Sequence, residues 1–310
     1  MYRGVIIKSY VHYFAGAIVA VLPVSVAAQE ISGVATFAYG DFSTPGGIDD
    51  SSARSLDGEL NLTYDNGLRL GATASSARVN FDGITEDLSV NTLGLTAGAG
   101  FANFWNAGAY YEFGELGLSG IGDTSIDSYG VFLGYGSDLM GLEFFVGQTD
   151  GDVLAGTGVD WTDVGASASF NIGSDLVLGG HVLRSRLSQG GVDVDLTTVG
   201  LGGSYAFGNG LSGFAGVTRG EIDVLVGDLT TFGVGLGYDL SQAANFPATL
   251  SFELARSRID DGVGSYDQDS IRLGITLPLG GAKNVPLNSV ASSAMSPNRT
   301  ALTSALVGAF

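Results

Sequence analysis

The sequence has no cysteine, which removes both a disulfide framework and any thiolate metal site. Histidine is almost as scarce, represented only by His12 and His181. Basic residues are few: 13 stand against 32 acidic ones, a formal charge of −19, so there is little to attract a nucleic-acid backbone. Long apolar runs are also missing. The one continuous stretch, Phe14 to Val26, is interrupted by Pro23 and is too short for a membrane-spanning helix.

Arg3 and Lys8 precede that stretch and "SVAAQE" follows it, with Val26 and Ala28 as small residues at the −3 and −1 positions. This order predicts a secretory signal peptide over residues 1–28. Without Arg3 and Lys8 the exported chain has 11 basic and 32 acidic side chains, a formal charge of −21.

What the sequence has in quantity is glycine, 50 residues of it, alternating with Val, Leu, Phe and Tyr in a pattern unlike that of a disordered chain. The phrase "DLTTVGLGGSY" (195–205) returns as "DLTTFGVGLGY" (228–238). Read with period two, Val199, Leu201 and Tyr205 share one face and Gly200, Gly202 and Ser204 the other. In the second copy Phe232, Val234, Leu236 and Tyr238 oppose Thr231, Gly233, Gly235 and Gly237. Each copy is expected to be a strand whose bulky face meets lipid and whose glycines face a lumen they leave open.

An aromatic residue closes the apolar face of strand after strand: Tyr64, Phe101, Tyr135, Phe170, Tyr205 and Tyr238. Their spacing of 33 to 37 residues suits one hairpin per period, and the six form an expected aromatic girdle. Turn sequences such as "DNG" (65–67), "NIGSD" (171–175) and "FGNG" (207–210) follow the aromatics closely. The other connections, among them "DFSTPGGIDD", "FDGITED" and "TDGDVLAGTGVD", are longer and acidic. Strands are expected near 33–42, 55–65, 68–79, 88–101, 105–116, 126–136, 141–149, 160–171, 175–187, 193–206, 211–220, 228–240, 248–259 and 268–279. Pro45, Pro247 and Pro278 all avoid strand interiors.

A soluble sandwich or propeller would need interlocking bulky residues on its buried face, not rows of glycine. The regular bulky face opposite Gly, Ser and Thr predicts inside-out polarity: an all-β, closed antiparallel transmembrane β-barrel over 29–280, with short periplasmic turns and modest acidic extracellular loops. Residues 281–310 form either a tail after fourteen strands or a final hairpin that would make sixteen. "NVP" (284–286) echoes "NFP" (245–247), as a further turn would, whereas Leu302, Leu306 and Phe310 recur at a period that fits an amphipathic helix equally well.

"GVATFAYGD", "YGVFLGYG", "FGVGLGYDL" and "RLGITLPLG" together resemble the strands of a Gram-negative outer-membrane porin-type barrel, over residues 30–280. The resemblance implies a passive diffusion channel for small hydrophilic solutes and ions in the cell outer membrane. Such proteins are often trimeric, with a long loop folded into the pore. Here no connection exceeds about a dozen residues, so that loop is missing. Expected partners are outer-membrane lipid and lipopolysaccharide, the barrel-assembly machinery and small hydrophilic solutes, with no cofactor. The alternative is a non-conducting scaffold or surface interaction barrel.

Strand parity sorts the charges. Arg78, Arg184, Arg186, Arg219, Arg256 and Arg258 each follow the apolar face of a rising strand, so they project outward at the extracellular rim. There they would meet lipopolysaccharide phosphates or loop aspartates such as Asp260 and Asp261. Glu59, Glu112, Glu143, Asp163 and Glu253 are expected in the lumen with Arg69, Arg272 and His181. Acid in excess of base predicts a mild cation preference, and the same set could instead brace the wall as a paired network. His181 and Ser185 are the only histidine and serine with catalytic spacing, but i and i+4 in a strand lie roughly 13 Å apart, and no enzyme is expected.

Overall fold

A computed structural model describes residues 30–309 apart from 45–47, 83–86, 121, 155, 224–226, 245, 261, 281–284 and 297. The predicted signal peptide, Pro45, Asp261 and Phe310 lie outside the described residues.

Period-two alternation is realised as fourteen antiparallel strands. They are β1 (Glu30–Thr44), β2 (Ile48–Thr63), β3 (Leu68–Phe81), β4 (Asp87–Ala102), β5 (Trp105–Leu118), β6 (Gly122–Gly136) and β7 (Met140–Gly151), then β8 (Asp160–Ile172), β9 (Leu176–Gln189), β10 (Val192–Gly208), β11 (Leu211–Ile222), β12 (Gly227–Asp239), β13 (Thr249–Asp260) and β14 (Ser265–Leu279). Every strand pairs with its sequence neighbours, and β14 returns to β1, where Phe37 stands opposite Ile275. Closure leaves no edge, so each backbone amide and carbonyl in the wall has a partner without recourse to water. Of the two strand counts the sequence allowed, the ladder takes fourteen, and an even count puts both ends of the cylinder at the same rim.

The polarity is inverted relative to a soluble domain. Leu201 is 65 % exposed, and Phe37, Leu95, Val131, Phe144, Val182, Phe232, Leu236, Leu254 and Leu273 are likewise exposed on the outer face. Thr36, Ser128, Asp163, Ser185, Thr231 and Glu253 are buried on the inner one. A continuous exposed apolar belt of this extent marks contact with lipid.

Strand boundaries differ from the sequence expectation at the rim opposite the start of β1 and the end of β14. β1 and β2 continue to Thr44 and Ile48, so most of "DFSTPGGIDD" is ladder and not loop. Both faces of a strand beyond the membrane are wet, so no apolar alternation advertises it, yet its hydrogen-bond ladder can continue. The connections are therefore short at both rims. The longest lies among those expected to be tight: residues 240–248, which contain the short helix α1 (Ser241–Ala244).

After β14 the chain turns back inside the cylinder as α2 (Val290–Met295) and α3 (Ala301–Ala309). Val290, Ala291, Ala294 and Ala301 are fully buried there, with α2 against β8 to β12 and α3 against β9 to β12 and β4.

Replacing Leu201 by Arg should lower unfolding stability in lipid vesicles by about 2–4 kcal/mol if this side chain faces hydrocarbon. On a soluble protein the same exposed substitution would stay within about 0.5 kcal/mol. Urea titration of the vesicle-folded barrel discriminates between the two.

Candidate functional site

A chain segment inside a barrel must satisfy its own backbone and find room against the wall. Room comes from glycine. A Cβ on Gly216 would sit 2.6 Å from the Ala291 Cα, one on Gly202 2.7 Å from the Ala291 carbonyl oxygen, and one on Gly200 2.7 Å from the Ala294 Cα. Gly233 meets Val290 and Gly179 meets Met295 in the same manner. The small residues of "VASSAM" thus lie backbone-close on a glycine floor made by β9 to β12. This overturns the expectation that the glycines leave the lumen open: they are the seat of the C-terminal segment. Elsewhere, inward rings take the same kind of seat, Phe145 over Gly165 and Phe214 over Gly235.

The polar fastening begins at Thr36, whose hydroxyl accepts from the Leu287 amide at 3.2 Å. At the N-terminus of α2, Ser289 caps the helix by accepting from Ser292 N, and the Glu253 carboxylate accepts from the Val290 amide at 3.0 Å. Anionic acceptors suit the free amides of a first helical turn. Arg272 donates to Glu253 at 3.4 Å and to the Asn288 carbonyl at 3.2 Å, with its guanidinium 5.7 Å from the Phe42 ring centroid. Towards the other end of α2, His181 Nδ1 donates to the Ala294 carbonyl at 2.8 Å. Wall groups therefore hold both ends of α2.

Between the helices Arg299 forms the densest contact. Its backbone amide donates to Glu112 at 2.9 Å and its guanidinium to Glu143 at 2.6 Å. The guanidinium lies 4.7 Å from the Tyr110 ring centroid and 4.8 Å from that of Phe145, with Phe132 at 5.9 Å. Aromatic faces and two carboxylates together compensate a cation removed from water. Thr303 Oγ1 donates to Glu112 at 2.9 Å, and the Ala301 amide donates to Ser185 Oγ at 2.9 Å. Ser185 donates in turn to Asp163, which also accepts from Thr149 at 2.6 Å and Trp161 at 3.0 Å.

The expected lumen residues thus divide. Glu112, Glu143, Asp163, His181, Glu253 and Arg272 converge on the C-terminal segment, directly or through Ser185. Glu59 lies across the lumen, where Asn61 donates to it at 2.8 Å. Arg69 is exposed, at a register position opposite Thr63 near the short-turn end. His181 and Ser185 share the inner face, each committed to a different point on the segment. Sequence reasoning missed Arg299 and Asp57. Arg299 stood in a tail whose position was open, and its signal was being one of two basic residues after Arg272. Asp57, which accepts from Ser75 at 2.6 Å and Ser55 at 3.0 Å, lies in a stretch assigned to a strand but without charge partners in sequence.

Cavities lie beside the segment. One, of about 100 Å³, has polar lining from Asp57, Glu59, Ser75 and Thr92 on the wall and Ser292 and Asn298 on the segment. Another, of about 120 Å³, is apolar, between Val90, Ile126 and Trp161 on the wall and Leu302 and Leu306 of α3.

Outside, the rim arginines mostly have oxygen partners. Arg184 and Arg186 share Asp195, the latter at 2.9 Å, Arg219 reaches Asp228 at 3.0 Å, Arg256 reaches Asp269 at 2.5 Å, and Arg258 donates to Ser265 at 2.9 Å. Arg78 is exposed and stands opposite Arg54. At the other end Phe101, Phe170, Tyr205 and Tyr238 are exposed on the outer face, and Tyr135 packs on Trp105 with centroids 5.3 Å apart. Tyr64 follows the end of β2 at the same rim.

Neither a family model nor a curated protein matches the chain. Solved structures do. An anion-selective porin from Comamonas acidovorans aligns with 81 % of this chain and 99 % of its own at 12 % identity, with a TM-score of 0.52. The fold is that of an outer-membrane porin-type barrel. The CymD monoaromatic hydrocarbon channel aligns over 86 % of this chain and 93 % of its own, also at 12 % identity, with a TM-score of 0.50. In this porin-type barrel a C-terminal segment of the chain itself occupies the lumen.

Gly216→Leu puts a side chain where the Ala291 backbone lies and should dislodge α2. Limited proteolysis of the folded barrel should then cut residues 285–300 several-fold faster. Gly136→Ala, whose Cβ would meet nothing within 4 Å, should leave the cleavage rate unchanged.

Proposed function

We propose that the chain is an outer-membrane channel for passive diffusion of small hydrophilic solutes and ions, throttled by its own C-terminal segment. The observation that supports this most directly is the kind of contact holding the segment: hydrogen bonds and ion pairs to Glu253, His181, Glu112, Glu143 and Ser185 at the wall. Charge-assisted hydrogen bonds contribute about 1.5–3 kcal/mol each, and water can replace them when the segment shifts. The polar cavity along β2 to β4 lies between the wall and the segment, where neither lumen helix packs closely on β2 or β3, and it is the natural path. Asp57 and Glu59 line it, which supports a mild cation preference, stronger at low salt.

On this reading the outer apolar belt sits in the outer membrane, reached after removal of the predicted signal peptide and inserted by the barrel-assembly machinery. The rim where β1 begins and β14 ends is periplasmic. The filled lumen favours a second reading, a non-conducting scaffold.

Planar-bilayer recording separates the two. Wild-type protein should show small, cation-leaning channels, and Arg299→Ala should raise unitary conductance several-fold by freeing the segment between α2 and α3. Absence of conductance in both wild type and a chain ending at residue 284 would eliminate the channel and leave the scaffold. An anion-selective reversal potential in a salt gradient would overturn the preference assigned to Asp57 and Glu59.

A further inference from the structure

We propose that Arg54 and Arg78 form a phosphate-binding site on the outer wall, occupied by a phosphate of lipid A in the outer leaflet. This rests on the chain being an outer-membrane barrel and is independent of whether it conducts.

The two arginines stand directly opposite each other on β2 and β3, and both are exposed on the outer face. Residues so placed have Cβ atoms about 4.5–5.5 Å apart, and like charges there are destabilising. Elsewhere on the rim, Arg184, Arg186, Arg219, Arg256 and Arg258 each reach an oxygen of Asp195, Asp228, Asp269 or Ser265. Among the described residues Arg54 and Arg78 make no hydrogen bond or ion pair. Their flanking register partners are Tyr39 and Ser89, which offer no charge. Asp41 and Asp87 occupy the diagonal positions, and the Asp41 carboxylate already accepts from the Tyr39 hydroxyl at 2.6 Å.

Their height fits a headgroup. Arg54 lies roughly ten residues above Tyr64 along β2, and Arg78 roughly ten above Leu68 along β3. At about 3.3 Å rise and 40° tilt this is about 25 Å, the height of a barrel's apolar band. One alternation below the pair stand Leu56 and Ser76, the latter donating to Asn91 at 2.8 Å, and two below stand Gly58 and Ala74, so the arginines are the first charges met on the outer face of these strands on leaving the apolar band. A phosphate bridging the two guanidiniums would turn a repulsive pair into a chelate, because each planar fork can donate two parallel hydrogen bonds to phosphate oxygens.

Native mass spectrometry of the full barrel released from detergent, with bisphosphorylated or dephosphorylated lipid A added, tests the site. Wild type should retain the bisphosphorylated form, and Arg54→Gln/Arg78→Gln should retain it on the order of tenfold less, as should the wild type given dephosphorylated lipid. Arg256→Gln, taken from the carboxylate-matched part of the belt, should behave as wild type. The heat-dependent gel mobility of folded barrels checks each variant, and Arg78→Gln alone, which removes a repulsion, serves if the double variant misfolds. Equal retention by wild type and the Gln variants would overturn the site. Competition by millimolar inorganic phosphate with no preference for the lipid would overturn lipid A as its occupant.

Discussion

Closure of the hydrogen-bond ladder between β14 and β1 is the constraint on which the rest of this molecule depends. Inside a bilayer an unpaired amide or carbonyl has no water to turn to, so a sheet can cross only as a cylinder. Once the cylinder exists, alternation along each strand has one meaning everywhere: Leu201 and Phe232 outward, Gly202 and Thr231 inward. The inner surface then becomes a polar cavity that is either wet or filled by chain.

Here much of it is filled by chain, and the filling explains the glycine content on β9 to β12. A helix backbone can lie against a sheet at the closeness seen between Ala291 and Gly216 only where the sheet presents no side chain. The segment brings its own small residues to the contact and leaves its anchoring to polar and charged groups of the wall. Glu253 and His181 receive the ends of α2 because helix termini expose amides and carbonyls that need partners. Arg299 meets two acidic groups at different heights of the wall, Glu112 on β5 through its backbone amide and Glu143 on β7 through its guanidinium. The lumen is thus neither the open hole its glycines suggested nor a self-contained wall network, but a two-part assembly of wall and segment.

The outer surface follows a separate logic. Between the aromatic rim and the charged rim it is predominantly apolar, and above it cross-strand Arg–Asp pairs recur around β9 to β14. Such exposed pairs contribute little to stability individually, yet they neutralise the belt where headgroups begin. On β2 and β3 that matching is interrupted by Arg54 opposite Arg78, a local imbalance the protein leaves unresolved within itself.

The sequence by itself determined the cylinder. A period of two repeated with aromatic closures at near-constant spacing fixes strand, face and hairpin, because lipid imposes the same demand on every strand. It also determined which side of the wall Glu112, Glu143, Asp163, His181, Glu253 and Arg272 occupy, since parity is local. Strand ends beyond the membrane were illegible because both faces are wet there and no alternation survives. What the inward groups contact was decided only in three dimensions. The segment 285–309 lies far along the chain from Gly200, Gly216, Glu112 and Ser185, and nothing local in "VASSAM" or "NRTALTSAL" distinguishes a helix inside the barrel from a tail outside it. Its position follows from the fit of small residues to a glycine floor and of one arginine to two carboxylates and three rings, a complementarity that exists only once the cylinder has closed.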